Sequence, residues 1–127
     1  MRGRGRGGRG RGRQAVRILE PALLLLLHHG PAHGYTLLEQ LGEFGLAHVD
    51  PSAIYRMLRD MEAKGWVTSV WNEEQSQGPP RRVYRITALG DEVLALWTQD
   101  LEESRKRVDY LLRVYHRHME EGEGEHH

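Results

Sequence analysis

The chain has 127 residues, no cysteine and a formal net charge of zero at neutral pH. That length supports one modest core, and the missing thiols exclude disulfide support, cysteine nucleophiles and cysteine-ligated zinc. The zero hides a division: Arg2, Arg4, Arg6, Arg9, Arg11, Arg13 and Arg17 precede the first acidic residue and the remainder carries minus seven, so the body is no general binder of polyanions.

In chain order, MRGRGRGGRGRGR offers no apolar residue after Met1 to a core, and residues 1–17 are predicted to be a disordered basic arm. Its Arg2, Arg4, Arg6, Arg9, Arg11 and Arg13 suit phosphate contacts or a narrow minor groove; a merely solubilising extension is the plain alternative. A first helix is predicted over Glu20 to His29, with Pro21 in its first turn and Gly30 stopping it. Leu23 to Leu27 cover every side of that helix, which implies burial on more than one face, inside the domain or against a second subunit. This apolar run is too short to span a bilayer and lacks a secretory cleavage site, which points to a cytoplasmic protein with no membrane partner.

A second helix is expected from Tyr35 to about Leu41, with Tyr35, Leu38 and Leu41 inward and Thr36, Glu39 and Gln40 outward. Phe44, Leu46 and Val49 of the following turn are expected to enter the core. In DPSAIYRMLRDMEAKGW, Asp50 is placed to cap a helix, Pro51 suits its first position, and Gly65 supplies the left-handed conformation that ends it. Ile54, Met57, Leu58 and Met61 fall on one face. Ser52, Ala53, Tyr55, Arg56 and Arg59 point the other way, small near the N-terminus and basic beyond it, as a helix entering a major groove requires. Two short helices joined by a glycine-containing turn form a helix-turn-helix pattern, and Thr36 on the earlier helix joins the candidate DNA contacts.

From Trp66 the composition becomes β-branched and aromatic, then NEEQSQGPP makes a loop and RRVYRI a returning strand. A hairpin directly after a recognition helix is the order of a winged helix. Arg81 and Arg82 are then candidate backbone contacts, with Glu73 and Glu74 required to point away or pair with them. Thr87 is placed to cap a last helix from Ala88 to about Met119, which at 1.5 Å per residue would reach roughly 45–50 Å and needs a partner. Leu94, Leu101, Val108 and Tyr115 recur at heptad spacing beside Trp97 and Leu111, so a homodimer is expected through these residues and Leu23, Leu24 and Leu27; an intrachain core helix is the alternative. Residues 120–127 are expected to be a disordered acidic tail.

No nucleotide-binding loop, paired-carboxylate frame or nucleophile–base motif is present, so no enzyme, cofactor or catalytic residue is expected. His116 and His118 lie about 200° apart on a helix, and His28, His29 and His33 straddle a turn without a helpful carboxylate, so no metal is expected either.

The segments GYTLLEQL, SAIYRMLRDMEAKGWV and GPPRRVYRITALG, followed by a long helix, resemble the PadR-like transcriptional regulators in order and spacing, from about Leu19 to His118. The resemblance rests most on Tyr55 with Leu58, Glu62 with Gly65, and Tyr84, Arg85, Ile86 and Thr87 with Gly90. It implies a winged helix-turn-helix dimer that represses transcription on double-stranded DNA and is often released by a small-molecule effector. The single C-terminal helix looks like the shorter branch of the family, in which an aromatic residue of that helix lines a cavity at the dimer interface. Trp97 is similar in placement, for a small aromatic effector, although a plain core tryptophan has the same spacing. Ser52 and Ala53 stand where the family often has glycine and threonine, and the arginine-glycine arm is not part of its pattern.

The expected architecture is therefore mostly α with a small β-hairpin: a winged helix-turn-helix domain over residues 18–87 and a dimerisation helix over 88–119. The expected function is a DNA-binding transcriptional regulator, a repressor acting as a homodimer on a palindromic operator. The rival readings are an RNA-binding protein working through its arm and a winged helix that binds protein instead of DNA.

Overall fold

The structure, a computed structural model, describes residues 6–46, 48–72 and 81–126, with side chains described from residue 18 to residue 122 of these. Helix α1 is Arg6–His29, strand β1 Ala32–His33 and helix α2 Gly34–Gln40; after a 3-10 turn over Leu41–Phe44 come helix α3 (Pro51–Ala63), strands β2 (Val67–Asn72) and β3 (Arg81–Ile86), and helix α4 (Ala88–His126). This is the mostly helical winged helix-turn-helix predicted above. The chain divides into two compact units, Met1–Leu94 and Ala95–His127, seven residues later than the expected boundary.

The core of the first unit is built on the leucine run. Leu19, Leu23, Leu24 and Leu27 are at most 2% exposed, and Leu37, Leu41, Ile54, Leu58 and Met61 close over them with no exposure at all. A helix apolar on all sides must be surrounded, and α1 meets that need within one chain by packing on β3, α2 and the 3-10 turn. Leu23, Leu24 and Leu27 are thus corrected from dimer interface to intrachain core. Leu94, 8% exposed, is likewise already covered within a single chain.

Both predicted tails differ from expectation. From Arg6 the chain is helical and continuous with the leucine run, and α4 continues to His126. Extending an existing helix adds one hydrogen bond per residue fixed, and arginine and glutamate favour it where the interspersed glycines oppose it. Residues 1–5, including Arg2 and Arg4, lie outside the described residues, and only the backbone is described at Arg6, Arg9, Arg11 and Arg13.

The hairpin gains an unexpected third strand. The sheet order is β1-β3-β2, all antiparallel, with Val67 opposite Ile86, Ser69 opposite Tyr84 and Trp71 opposite Arg82, while Ala32 meets Tyr84 from the other side. Strand alternation therefore puts Val67, Ser69, Trp71, Arg82, Tyr84 and Ile86 on one face, which is buried at Val67 and Tyr84 and open to solvent at Trp71 and Arg82. Of the three apolar residues expected to fill the turn before α3, Leu46 is buried; Phe44 is 37% exposed and Val49 half-buried, because a single apolar plug suffices over the already closed core.

One hydroxyl joins three elements. Thr87 Oγ1 donates to the Gly65 carbonyl oxygen at 2.6 Å, with that of Trp66 also in reach at 3.0 Å, and it accepts the Gly90 N–H at 3.0 Å as the cap of α4. Gly90 makes the junction tight, since an added Cβ would lie 2.7 Å from Ile86 Cγ1 and collide with the Trp66 carbonyl. Nearby, His28 Nδ1 donates to Asp91 Oδ1 at 2.9 Å, tying the end of α1 to the same turn.

In the second unit α4 leaves much apolar surface open. Val108, Leu111 and Tyr115 are 52%, 63% and 53% exposed, whereas Trp97 and Leu101 are half-buried. Its charges pair locally, Arg105 with Glu102 at 2.8 Å and Lys106 with Glu103 at 3.5 Å.

Candidate nucleic-acid interface

Helix α3 begins as its sequence dictates. The Asp50 carboxylate accepts the Ser52 N–H at 3.1 Å, Pro51 occupies the first turn, and Gly65 closes the C-terminal end with φ of +84°. Lys64 stands there 2.9 Å from Asp60. With Ile54, Leu58 and Met61 buried, the opposite face is fixed toward solvent: Ser52, Arg56 and Arg59 are exposed, and Ala53 and Tyr55 half-buried. The first turn is thus sterically open and carries guanidinium groups one and two turns on, the arrangement that admits a helix to base edges.

Beside α3 lies an open groove of about 480 Å³. Tyr55 forms its α3 wall, Trp71, Arg81, Arg82 and Tyr84 its wing wall, and His33, Gly34 and Tyr35 the wall at the start of α2. Gly34 permits that closeness. An added Cβ there would lie 2.9 Å from Tyr55 Cζ, so any other residue would drive the tyrosine outward.

The wing arginines are held differently. The guanidinium of Arg82 lies 4.4 Å from the centre of the Trp71 ring, and its Nη1 donates to Ser69 Oγ at 3.0 Å. Ser69 in turn donates to the Glu62 carboxylate, with 3.0 Å to either oxygen, so a chain of hydrogen bonds runs from the wing to the last turn of α3. Arg81, paired with Asn72 at the end of the hairpin, is exposed. Burial pushes the Tyr84 phenol above its ordinary range against the opposing pull of Arg82.

The sequence-predicted residues divide accordingly. Tyr55, Arg81 and Arg82 share the groove, and Ser52, Arg56 and Arg59 lie on the exposed face of the same helix. Thr36 falls elsewhere, in a second cleft of about 330 Å³ with Gln40, Phe44 and the end of α1. The register of α2 explains this: Gly34 and Leu37 are its buried residues, so Tyr35, 57% exposed and expected inside, turns to the groove and Thr36 away from it. Tyr35, Gly34, Ser69 and Trp71 were missed by sequence reasoning. Period-two alternation outward from buried Val67 was the signal that places Ser69 and Trp71. Glu73 and Glu74 lie outside the described residues. Among the described residues no group of three or more His, Asp or Glu is placed to hold a metal, and no helix is long and apolar enough to cross a membrane.

These features define the class: a winged helix-turn-helix whose α3 exposes a small and basic face beside a basic, aromatic wing. The sequence profile of the transcriptional regulator PadR-like family matches residues 23–96, and the chain belongs to that family, whose members are transcriptional regulators and not enzymes. Among solved structures, one described as a conserved protein of unknown function and potential transcriptional factor is 36% identical, over 94% of this chain and 99% of its own, with a TM-score of 0.71. A putative transcriptional regulator from Thermoplasma acidophilum is 31% identical over 78% of this chain and 95% of its own, with a TM-score of 0.66. The PadR of Bacillus subtilis, solved in complex with operator DNA, is 26% identical over 64% of this chain and 46% of its own, with a TM-score of 0.57. No curated protein matches the chain.

Proposed function

We propose that this regulator binds double-stranded operator DNA as a homodimer and acts as a cytoplasmic repressor. Helix α3 enters the major groove, where Ser52 and Ala53 allow close approach, Arg56 and Arg59 reach base edges or phosphates, and Arg81 and Arg82 lie against the flanking backbone. The observation that carries this reading is the exposed face of α3, capped by Asp50 and bare of bulky side chains in its first turn. A family member captured on its operator supports it.

Homodimerisation is supported by Val108, Leu111 and Tyr115, a heptad row more than half exposed in the single chain. Two reading heads about one helical repeat apart, roughly 34 Å, would fit a palindromic site. A small aromatic effector held near Trp97 would release the operator if it favoured a different spacing of the heads. The arginines of residues 2–13 would add contacts that ignore sequence and weaken with salt.

The test is a gel shift on genomic fragments selected by the purified protein. Arg56→Ala is expected to cost about 1–3 kcal/mol of operator affinity and to change base preference. An unchanged affinity and preference would remove Arg56 from the reading set.

A further inference from the structure

The groove between wing and recognition helix holds more than a duplex backbone needs. Phosphates call for cations and N–H groups, which Arg81 and Arg82 supply; they make no use of aromatic rings. Yet Tyr35, Tyr55, Trp71 and Tyr84 all line the same space, and among the described residues no carboxylate does. Trp71 and Tyr35 are 55% and 57% exposed, large planar surfaces left open to solvent on one side of the molecule. Exposed aromatic rings beside guanidinium groups form the surface on which unpaired bases stack while their phosphates are neutralised.

We propose that this groove is a mononucleotide site: a base stacks against the rings of Trp71, Tyr35 and Tyr55, and its phosphate is held by Arg81 and Arg82. The volume, about 480 Å³, falls in the range of small-molecule clefts. Charge complementarity is set by two arginines, with no acidic residue among the described residues of the lining. The nucleotide is either free or the unpaired end of a DNA strand. In both cases it occupies space beside Tyr55 and Arg82 that the proposed duplex contacts use, so it competes with the duplex directly and without any change of dimer geometry.

The experiment is isothermal titration of the full-length protein, without DNA, using adenosine 5′-monophosphate, adenosine and inorganic phosphate as separate probes. The monophosphate is expected to bind at least about tenfold more tightly than either part alone. Trp71→Ala is expected to weaken it by about fivefold or more, the low end for loss of one stacking partner, and Trp71→Phe to retain most of it. Equal binding of monophosphate and phosphate, no binding of the monophosphate, or indifference to Trp71→Ala would each overturn the site. A duplex with a three-nucleotide overhang, compared with a blunt one, separates the two sources. Overhang preference lost in Trp71→Ala assigns the site to strand ends; monophosphate binding without that preference assigns it to a free nucleotide. Blunt-duplex binding by the unmodified protein is read separately, so failure of operator recognition and failure of this site are distinguishable.

Discussion

Gly34 and Tyr55 are packed so closely that the first residue of α2 has no room for a side chain: an added Cβ would sit 2.9 Å from the tyrosine Cζ and 3.0 Å from its hydroxyl oxygen. The obstacle is the ring of a half-exposed residue rather than backbone, so it can yield by swinging outward.

Gly34→Ala should therefore cost little stability, about 1 kcal/mol, at the low end of overpacking penalties. Operator affinity should fall by more than that loss explains, because Tyr55 is pushed into the groove. In a Tyr55→Ala background the substitution should become almost neutral, and urea unfolding of the four proteins in that cycle checks it.

Ser69→Ala breaks the link from Arg82 to Glu62. It leaves a carboxylate and a guanidinium without their shared hydroxyl and should cost about 1 kcal/mol in stability. Arg82 then loses its fixed direction while its charge is unchanged. Duplex affinity should drop a few-fold with base preference intact, as gel shifts on operator and scrambled duplexes would show.

Removal of the Asp50 carboxylate tests the start of the reading helix. Asp50→Ala should destabilise the protein by about 1 kcal/mol and Asp50→Ser by clearly less, since serine can also accept the Ser52 N–H. Thermal unfolding of the three proteins under one condition is sufficient.

Glu20 should give a pH signature. Burial raises its carboxyl above the ordinary glutamate range, with Lys64 opposing and Asp60 adding to the shift. A pKa raised on folding contributes stability that is complete below the unfolded value and is lost as pH rises through the folded one. Glu20→Gln should therefore raise the melting temperature at about pH 7 and lose that advantage toward about pH 4. Parallel melting curves at the two pH values would contradict this.

Where the sequence was legible, local chemistry and burial agreed. Asp50, Pro51 and Gly65 bounded α3, and three of its four predicted apolar residues are fully buried, with Met57 half-buried. The wing strands followed from their composition. The leucine run was ambiguous for a physical reason, because a helix apolar all round states only that it is covered, not by which chain. Strand β1 was invisible since two residues carry no periodicity, and its pairing with β3 depends on partners fifty positions away. The α2 register failed because Tyr35 and Leu37 are both apolar enough to head a buried stripe, and the close packing of Gly34 on Tyr55, which leaves Tyr35 outside, has no local signal. The heptad row beyond Ala95 was readable as a pattern, yet it names no occupant.

The knot at Thr87 bears on how such regulators can be recombined. A graft that keeps residues only to Ile86 discards the hydroxyl serving Gly65, Trp66 and Gly90, and leaves the reading head with an unfastened lower edge. The transplantable cassette ends at Leu94. Exchange of effector or oligomerisation segments between relatives should splice there, two turns into a helix rather than at its visible beginning.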